Sequence, residues 1–204
     1  MRLPARIALF SVGVVLGGAA VGFLLQAHLG VSSYDVLNSG VARTIGVPVG
    51  TASWIVSAVV LAIAVALGRR PGPGSLLSML GFGAMINLVL VSTHTPHSLL
   101  IRVAWLVAAL VGLWTAITLI VLARIGANPP EELMLGLAGK GLTLSRARWG
   151  LEGGLLVAGV ALGGQVGIGT VVIAVCTGPI LATVLPPLER RLHEPVHVEV
   201  FPAP

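Results

Sequence analysis

Residues 7–27, IALFSVGVVLGGAAVGFLLQA, form an apolar run that contains no charged side chain. A helix that crosses the hydrocarbon core of a bilayer needs about 20 mostly apolar residues. Further apolar stretches follow along the chain, at 49–67, 75–92, 101–123, 148–163 and 168–185. The sequence therefore predicts an all-α, polytopic membrane protein with about six transmembrane helices.

The composition does not fit an ordinary soluble protein. Hydrophobic residues make up 56% of the chain and charged residues 9%, and the mean hydropathy is +1.02. Soluble globular domains carry about 25% charged residues, so this chain cannot cover a water-facing surface. The net charge of +5 does not indicate a nucleic-acid partner, because the basic residues stand at the ends of apolar runs and form no patch. The expected partner is the lipid bilayer.

An internal repeat divides the chain. A shift of 96 residues, which becomes 95 after one residue is lost, superimposes these pairs: Gly30 and Gly126, Asp35 and Glu131, Trp54 and Trp149, Gly83 and Gly178. The repeat predicts two units, 1–95 and 96–192, each with three spans and a short polar helix, and a flexible cytoplasmic tail at 193–204. Because three is an odd number, the second unit must enter the membrane from the opposite side, which makes the repeat inverted.

The distribution of positive charge predicts the orientation. With a cytoplasmic N-terminus, the inside segments hold ten basic residues: Arg2, Arg6, Arg69, Arg70, Arg124, Lys140, Arg146, Arg148, Arg190 and Arg191. The outside segments hold two, Arg43 and Arg102. Cytoplasmic loops of membrane proteins carry an excess of Lys and Arg, so this bias predicts that both termini are cytoplasmic.

A polar segment follows the first helix of each unit, at 30–40 and 126–136. Ser32 and Asn128 are suitable N-cap residues, and an acid, Asp35 or Glu131, stands three residues after each. This is the capping-box spacing, in which the acid reaches back to the N–H group of the cap residue. Each polar segment is therefore predicted to begin a short helix.

The chain resembles the YczE/YitT-like bacterial membrane proteins. The residues that carry the resemblance are Gly30, Tyr34-Asp35-Val36-Leu37, Gly40, Gly46, Gly50-Thr51, and the turns Gly74-Ser75 and Gly169-Thr170. The resemblance covers most of residues 10–190, although Ser33 stands where a proline is more typical and Ser75 where a threonine is. It implies a multi-pass protein of the bacterial plasma (inner) membrane, of a kind often presumed to transport a solute, and it does not supply that solute.

Acidic and polar side chains near the membrane segments are the candidate binding residues. For a substrate or an ion they are Tyr34, Asp35, Asn38, Glu131, Glu132 and Glu152. An ionisable residue inside a membrane span is a functional candidate by default, which applies most directly to Glu152. Arg43 and Lys140 fall near matching places in the two polar segments and could contact an anionic group of a substrate.

Each candidate also has a structural explanation. Asp35 and Glu131 fit helix capping and the positive end of the helix dipole. Glu152 fits a surface ion pair with Arg148, four residues earlier on the same helix face. The two basic candidates fit side chains that extend to the lipid headgroups. The sequence leaves both kinds of explanation open.

A small secondary transporter or exporter of an unknown solute is the favoured function, because inverted repeats and interrupted helices are typical of that class. The alternative is a non-transporting scaffold that binds another membrane protein or a lipid. An enzyme is not expected, since the chain has no HExxH, GxSxG or phosphate-binding GxxxxGK[ST] motif. We expect no cofactor and no metal site, and a homodimer is compatible with so small a chain.

Overall fold

Eight α-helices make up most of the part of the chain that the structure describes. The structure is a computed structural model that describes residues 3–191, with side chains described up to Leu188, so the predicted tail at 193–204 lies outside this range. The helices are α1 (Leu3–Ala27), α2 (Ser33–Ile45), α3 (Val49–Ala66), α4 (Pro73–Ser92), α5 (Leu99–Ala123), α6 (Pro129–Ala138), α7 (Leu144–Ala161) and α8 (Ile168–Arg191). No strand occurs within residues 3–191, and the all-α class is confirmed.

Within the described residues, five helices are long and apolar enough to cross a membrane: α1, α3, α4, α5 and the Ile168–Leu188 part of α8. The remaining long helix, α7, has 18 residues but carries Arg146, Arg148 and Glu152 in its first half. The polytopic membrane class is therefore confirmed. The predicted span at 148–163 does form a helix, and its crossing of the membrane stays a prediction.

Large apolar side chains cover the outside of the helix bundle. Leu77 is 54% exposed, Leu100 is 80% exposed and Val91 is 83% exposed. In water such a surface would cost about 25 cal/mol for each Å² of apolar area, whereas lipid tails remove this cost. The outer surface therefore contacts the lipid bilayer, and the chain is a multi-pass membrane protein.

α1 and α5 pack side by side and run antiparallel. Arg6, near the start of α1, donates from Nε to the carbonyl of Ala123 at the end of α5, at 2.8 Å. Arg102, near the start of α5, donates from Nε to the carbonyl of Ala27 at the end of α1, at 2.6 Å. Each arginine thus satisfies carbonyl groups that a helix C-terminus leaves without an intrahelical partner.

The two short helices pack against the opposite half of the chain. α2 lies against α7, where a Cβ atom on Gly159 would stand 2.6 Å from the backbone N of Leu37. α6 lies against α3, with Gly136 close to Leu67. Only glycine allows the approach of α7 to α2, so Gly159 determines how closely these two helices meet.

Hydrogen bonds also link the segment before each short helix to the opposite half of the chain. The N–H group of Gly169, in the first turn of α8, donates to the carbonyl of Leu29 before α2, at 2.8 Å. The hydroxyl of Ser75, in the first turn of α4, donates to the carbonyl of Ala127 before α6, at 2.7 Å. The chain entering each short helix is therefore bound to the last long helix of the other half.

α3 and α4 pack closely, whereas their counterparts α7 and α8 do not. The indole N–H of Trp54 donates to the carbonyl of Leu80 at 3.1 Å, and Asn87 Oδ1 accepts from the N–H group of Gly50 at 2.9 Å. Among the described residues α7 and α8 form no comparable contact. Trp149, which the repeat pairs with Trp54, is 69% exposed. The bundle is closed between α3 and α4 and open between α7 and α8.

Candidate functional site

A cavity of about 400 Å³ lies inside the bundle, and the N-terminal ends of α2 and α6 both reach it. It brings together four of the predicted binding residues: Tyr34, Asp35, Glu131 and Glu152. Most of the remaining wall is apolar and comes from the long helices of both halves. Cavities of this size, with a few polar groups in an apolar wall, are typical of small-molecule sites.

Asp35 stands in the first turn of α2 and is 6% exposed. Its backbone N–H donates to Ser32 Oγ at 3.3 Å, and the same hydroxyl donates to Asp35 Oδ2 at 2.6 Å. The predicted capping box is therefore wrong in one detail, because the shorter aspartate bonds the side chain of the cap residue and not its N–H group. Burial raises the pKa of the Asp35 carboxyl, against the lowering effect of the hydrogen bonds from Ser32 and Asn38.

Glu131 is the counterpart of Asp35 in the second half. Its Oε2 atom accepts from the backbone N–H of Asn128 at 3.1 Å, which confirms the predicted reach of the acid to the cap residue. Burial raises the pKa of the Glu131 carboxyl. The hydrogen bond from Asn128 and the charge of Arg148 act in the opposite direction, and the charge of Glu132 adds to the increase.

Arg148 and Glu152 form an ion pair on α7, with Nε and Oε1 2.9 Å apart. The pair is the one that the spacing of four residues predicts, and both side chains also line the cavity. The predicted pairing of Glu152 with Arg148 is thus confirmed, although the pair lines the cavity. Among the residues whose side chains the structure describes, the cavity wall holds three acidic side chains and one basic side chain, that of Arg148.

Tyr34 and Ser57 join α2 to α3 at the edge of the cavity. Their hydroxyl oxygens are 2.7 Å apart, and burial raises the pKa of the tyrosine hydroxyl. Ser57 is not among the predicted site residues. A signal was present, because the repeat pairs Ser57 with Glu152 and both line the cavity.

Four other candidates lie outside the cavity wall. Asn38 is fully buried behind Asp35 and donates from Nδ2 to Asp35 Oδ1 at 3.2 Å. Glu132 is 4% exposed, and its carboxylate accepts from Arg69. The remaining two, Arg43 and Lys140, are exposed near the ends of α2 and α6. The structure therefore does not bring these four to the cavity, and a role for them in binding stays a prediction.

Residues 4–186 match the family of unknown function DUF6198. An uncharacterized protein of Haemophilus influenzae is 26% identical over 190 residues, which cover 93% of this chain and 86% of that protein. The uncharacterized membrane protein YczE of Bacillus subtilis is 30% identical over 193 residues, which cover 91% of this chain and 87% of YczE. The uncharacterized protein YyaS of the same organism is 27% identical over 191 residues, with coverage of 89% and 92%. No solved structure matches the chain significantly.

These relatives confirm the resemblance to YczE-like membrane proteins that the residues around Tyr34 and Asp35 indicate. Their names state no activity, so they supply neither a solute nor a mechanism. The match extends over nearly the whole described chain and includes both short helices and the cavity between them. This chain belongs to the family of unknown function DUF6198.

Proposed function

We propose that this chain is a small secondary transporter, which binds a solute in the cavity and exposes it alternately to the two sides of the bacterial plasma membrane. The observation that carries the proposal is that an acid from each half, Asp35 and Glu131, lines the same cavity. Ionisable groups that face an internal cavity of a membrane protein commonly mark substrate and ion pathways. Transporters with inverted repeats bind their solutes where the repeats meet.

Two inverted repeats, 1–95 and 96–192, are part of the proposal. α1 and α5 each have 25 residues and begin 96 residues apart, and α3 and α7 each have 18 residues and begin 95 residues apart. His28 and Arg124, directly after α1 and α5, both have a φ of 50°. The antiparallel packing of α1 and α5, with reciprocal arginine contacts, supports a two-fold relation that inverts one half relative to the other.

α7 is the proposed sixth span. Its first turns carry Arg148, whose charge acts on Glu131 of α6. Directly after its last turn, the carbonyl of Gly163 accepts from Arg43 of α2 at 3.4 Å. Because α6 and α2 would enter from opposite sides of the membrane, a helix that joins them would cross it. Arg148 and Glu152 face the cavity, so α7 need not expose this ion pair to lipid.

Labelling of single cysteines with a membrane-impermeant thiol reagent is expected to show on which side of the membrane each exposed position lies. In a Cys176→Ala background, Arg43→Cys and His94→Cys should react from outside, whereas Arg70→Cys and Lys140→Cys should react only after the membrane is opened. The reason is that both termini would be cytoplasmic, in line with the positive-inside rule. Permeabilised cells give the control for reactivity. Labelling of positions 43 and 140 from the same side would contradict the inverted repeat.

Proteoliposomes with an imposed pH gradient and an internal pH-sensitive dye test transport itself. Organic cations, organic anions and neutral solutes are added in turn, and at least one class is expected to change the internal pH several-fold faster than in protein-free vesicles. Asp35→Asn and Glu131→Gln should abolish this increase, and Arg70→Gln, which changes an exposed residue outside the cavity wall, should retain it. If no class moves protons or crosses faster than in protein-free vesicles, the transporter proposal is contradicted.

A non-transporting scaffold is the second candidate. It is favoured by one face of α7, where a Cβ atom added to Gly150, Gly153 or Gly154 would meet nothing within 4 Å. Small residues allow the helix of another membrane protein to approach closely. A scaffold should tolerate Asp35→Asn and Glu131→Gln without loss of its cellular phenotype, whereas a transporter should not. Under either proposal the chain catalyses no reaction.

A further inference from the structure

The cavity wall is apolar over most of its extent. Val21, Phe82, Leu113 and Ile173 contribute to it from α1, α4, α5 and α8, in that order. Contact with such a wall stabilises an apolar solute by about 25 cal/mol for each Å² removed from water. A volume of about 400 Å³ holds the body of an organic molecule and is far larger than an inorganic ion needs.

The charged groups of the wall are mainly acidic. Asp35, Glu131 and Glu152 face the cavity, and Arg148 pairs with the last of these. Within the described residues, no three His, Cys, Asp or Glu side chains lie close enough together to hold a metal ion. The three acids therefore do not form a metal-binding group, and their negative charge suits an organic cation. Attraction between opposite charges is also stronger here than in water, because the surroundings are less polar.

α7 and α8 both form part of the cavity wall, and within the described residues they do not pack against each other. Leu151 and Leu155 of α7 and Leu181 of α8 line the cavity, although the two helices do not pack against each other as α3 and α4 do. On the outside of the same helices, Val157 is 70% exposed and Val175 is 65% exposed. A hydrophobic molecule dissolved in the bilayer could therefore reach the cavity without passing through water.

We propose that the solute is a hydrophobic organic cation that enters from the bilayer between α7 and α8, with its apolar body against the wall and its charge beside Asp35 and Glu131. This inference rests on the transporter function proposed above and specifies the class of its substrate. In this scheme one of the two carboxyl groups carries a proton before the cation arrives, and burial, which raises the pKa of both, favours that form. When one cation binds, one carboxyl releases its proton to water, so the net charge of the cavity is unchanged.

Equilibrium binding to the purified full-length chain in detergent tests the substrate class. The probes are tetraphenylphosphonium, the similarly shaped anion tetraphenylborate, and neutral triphenylphosphine oxide. We expect tetraphenylphosphonium to bind most tightly, with an affinity that increases with pH and with release of protons in weak buffer. Asp35→Asn and Glu131→Gln should each weaken binding by about tenfold, or roughly 1.4 kcal/mol. Arg70→Gln, which removes an exposed charge away from the cavity wall, should leave binding unchanged.

Thermal unfolding of each variant separates lost binding from lost folding, and only variants that unfold like the wild type are compared. The cation proposal is overturned if tetraphenylborate binds as tightly as tetraphenylphosphonium, or if both acidic variants bind the cation normally. It is also overturned if none of the three probes binds. None of these results contradicts transport itself, because the pH-gradient assay uses solutes of all three classes and can still detect flux.

Discussion

Replacement of Arg69 by glutamine is expected to lower the free energy of unfolding by about 2–3 kcal/mol, because it leaves Glu132 buried without a counter-charge. Glu132 is 4% exposed, and its Oε2 atom accepts from Arg69 Nε at 3.0 Å. The Arg69 side chain is 39% exposed, so solvent screens the pair and the expected loss is smaller than for a fully buried pair. Titration of the purified protein with SDS in mixed micelles measures this free energy.

Arg70→Gln is the matched control, since it removes the same charge from the next residue, which is exposed. We expect it to change the free energy of unfolding by less than about 0.5 kcal/mol. The double variant Arg69→Gln with Glu132→Gln should recover much of the loss, because neither side chain then carries a buried charge. If Arg69→Gln is as stable as Arg70→Gln, the ion pair does not hold α6 against α3.

This comparison also separates two roles for Glu132, which the sequence predicts as a binding residue. In the structure Glu132 Oε1 lies 3.5 Å from Ser75 Oγ, so the carboxylate joins α6 to both the end of α3 and the start of α4. A residue with this role should reduce stability when its partner is removed. The affinity of the folded protein for a solute should change little.

Local signals were sufficient to predict the helices. Each span needs a long apolar run, and each short helix begins just after a cap residue, Ser32 or Asn128, so that both features can be recognised within one segment of sequence. The capping box at Glu131 follows from the same spacing. At Asp35 the acid bonds the hydroxyl of the cap residue and not its N–H group, because the aspartate side chain is one carbon shorter than that of glutamate.

Neighbouring residues proved harder to assign to the site. Successive residues of a helix point about 100° apart, so Glu131 lines the cavity while the adjacent Glu132 points to Arg69. Asn38 follows Asp35 by nearly one turn, yet it lies behind the acid and not beside the cavity. Only the packing of the short helices on the opposite half determines which face meets the cavity, and that packing joins residues more than 50 positions apart.

The sequence also did not predict that α3 and α4 would pack together while α7 and α8 would not. The repeat predicts equivalent units, and it pairs Trp54 with Trp149 and Leu80 with Val175. In the structure α3 packs on α4, with Trp54 bonded to Leu80. In the other half, Trp149 of α7 and Val175 of α8 are mostly exposed. Two arrangements of one helix pair can differ in free energy by only a few kcal/mol, so a repeat in sequence does not determine which one each half adopts.

Cross-links across α3 and α4 and across α7 and α8 are expected to form in the same protein but rarely in the same molecule. In a Cys176→Ala background, the first link joins Trp54→Cys and Leu80→Cys, and the second joins Trp149→Cys and Val175→Cys. A short bifunctional maleimide is applied to membrane vesicles, and the linked peptides are identified by mass spectrometry. The first link should form at once, because Trp54 already contacts Leu80. The second should form more slowly, as α7 closes on α8.

Mutual exclusion is the decisive result, because a transporter that alternates between two inverted halves would open α3 from α4 whenever α7 closes on α8. In a chain with all four cysteines, the doubly linked form should be several-fold rarer than the two separate yields would give by chance. Failure of the second link under all conditions would mean that α7 and α8 never adopt the arrangement of α3 and α4. Frequent double linking would mean that the two gaps close independently. A solute can shift the ratio of the two links only by the difference in its affinity for the two states, so the same assay measures that difference.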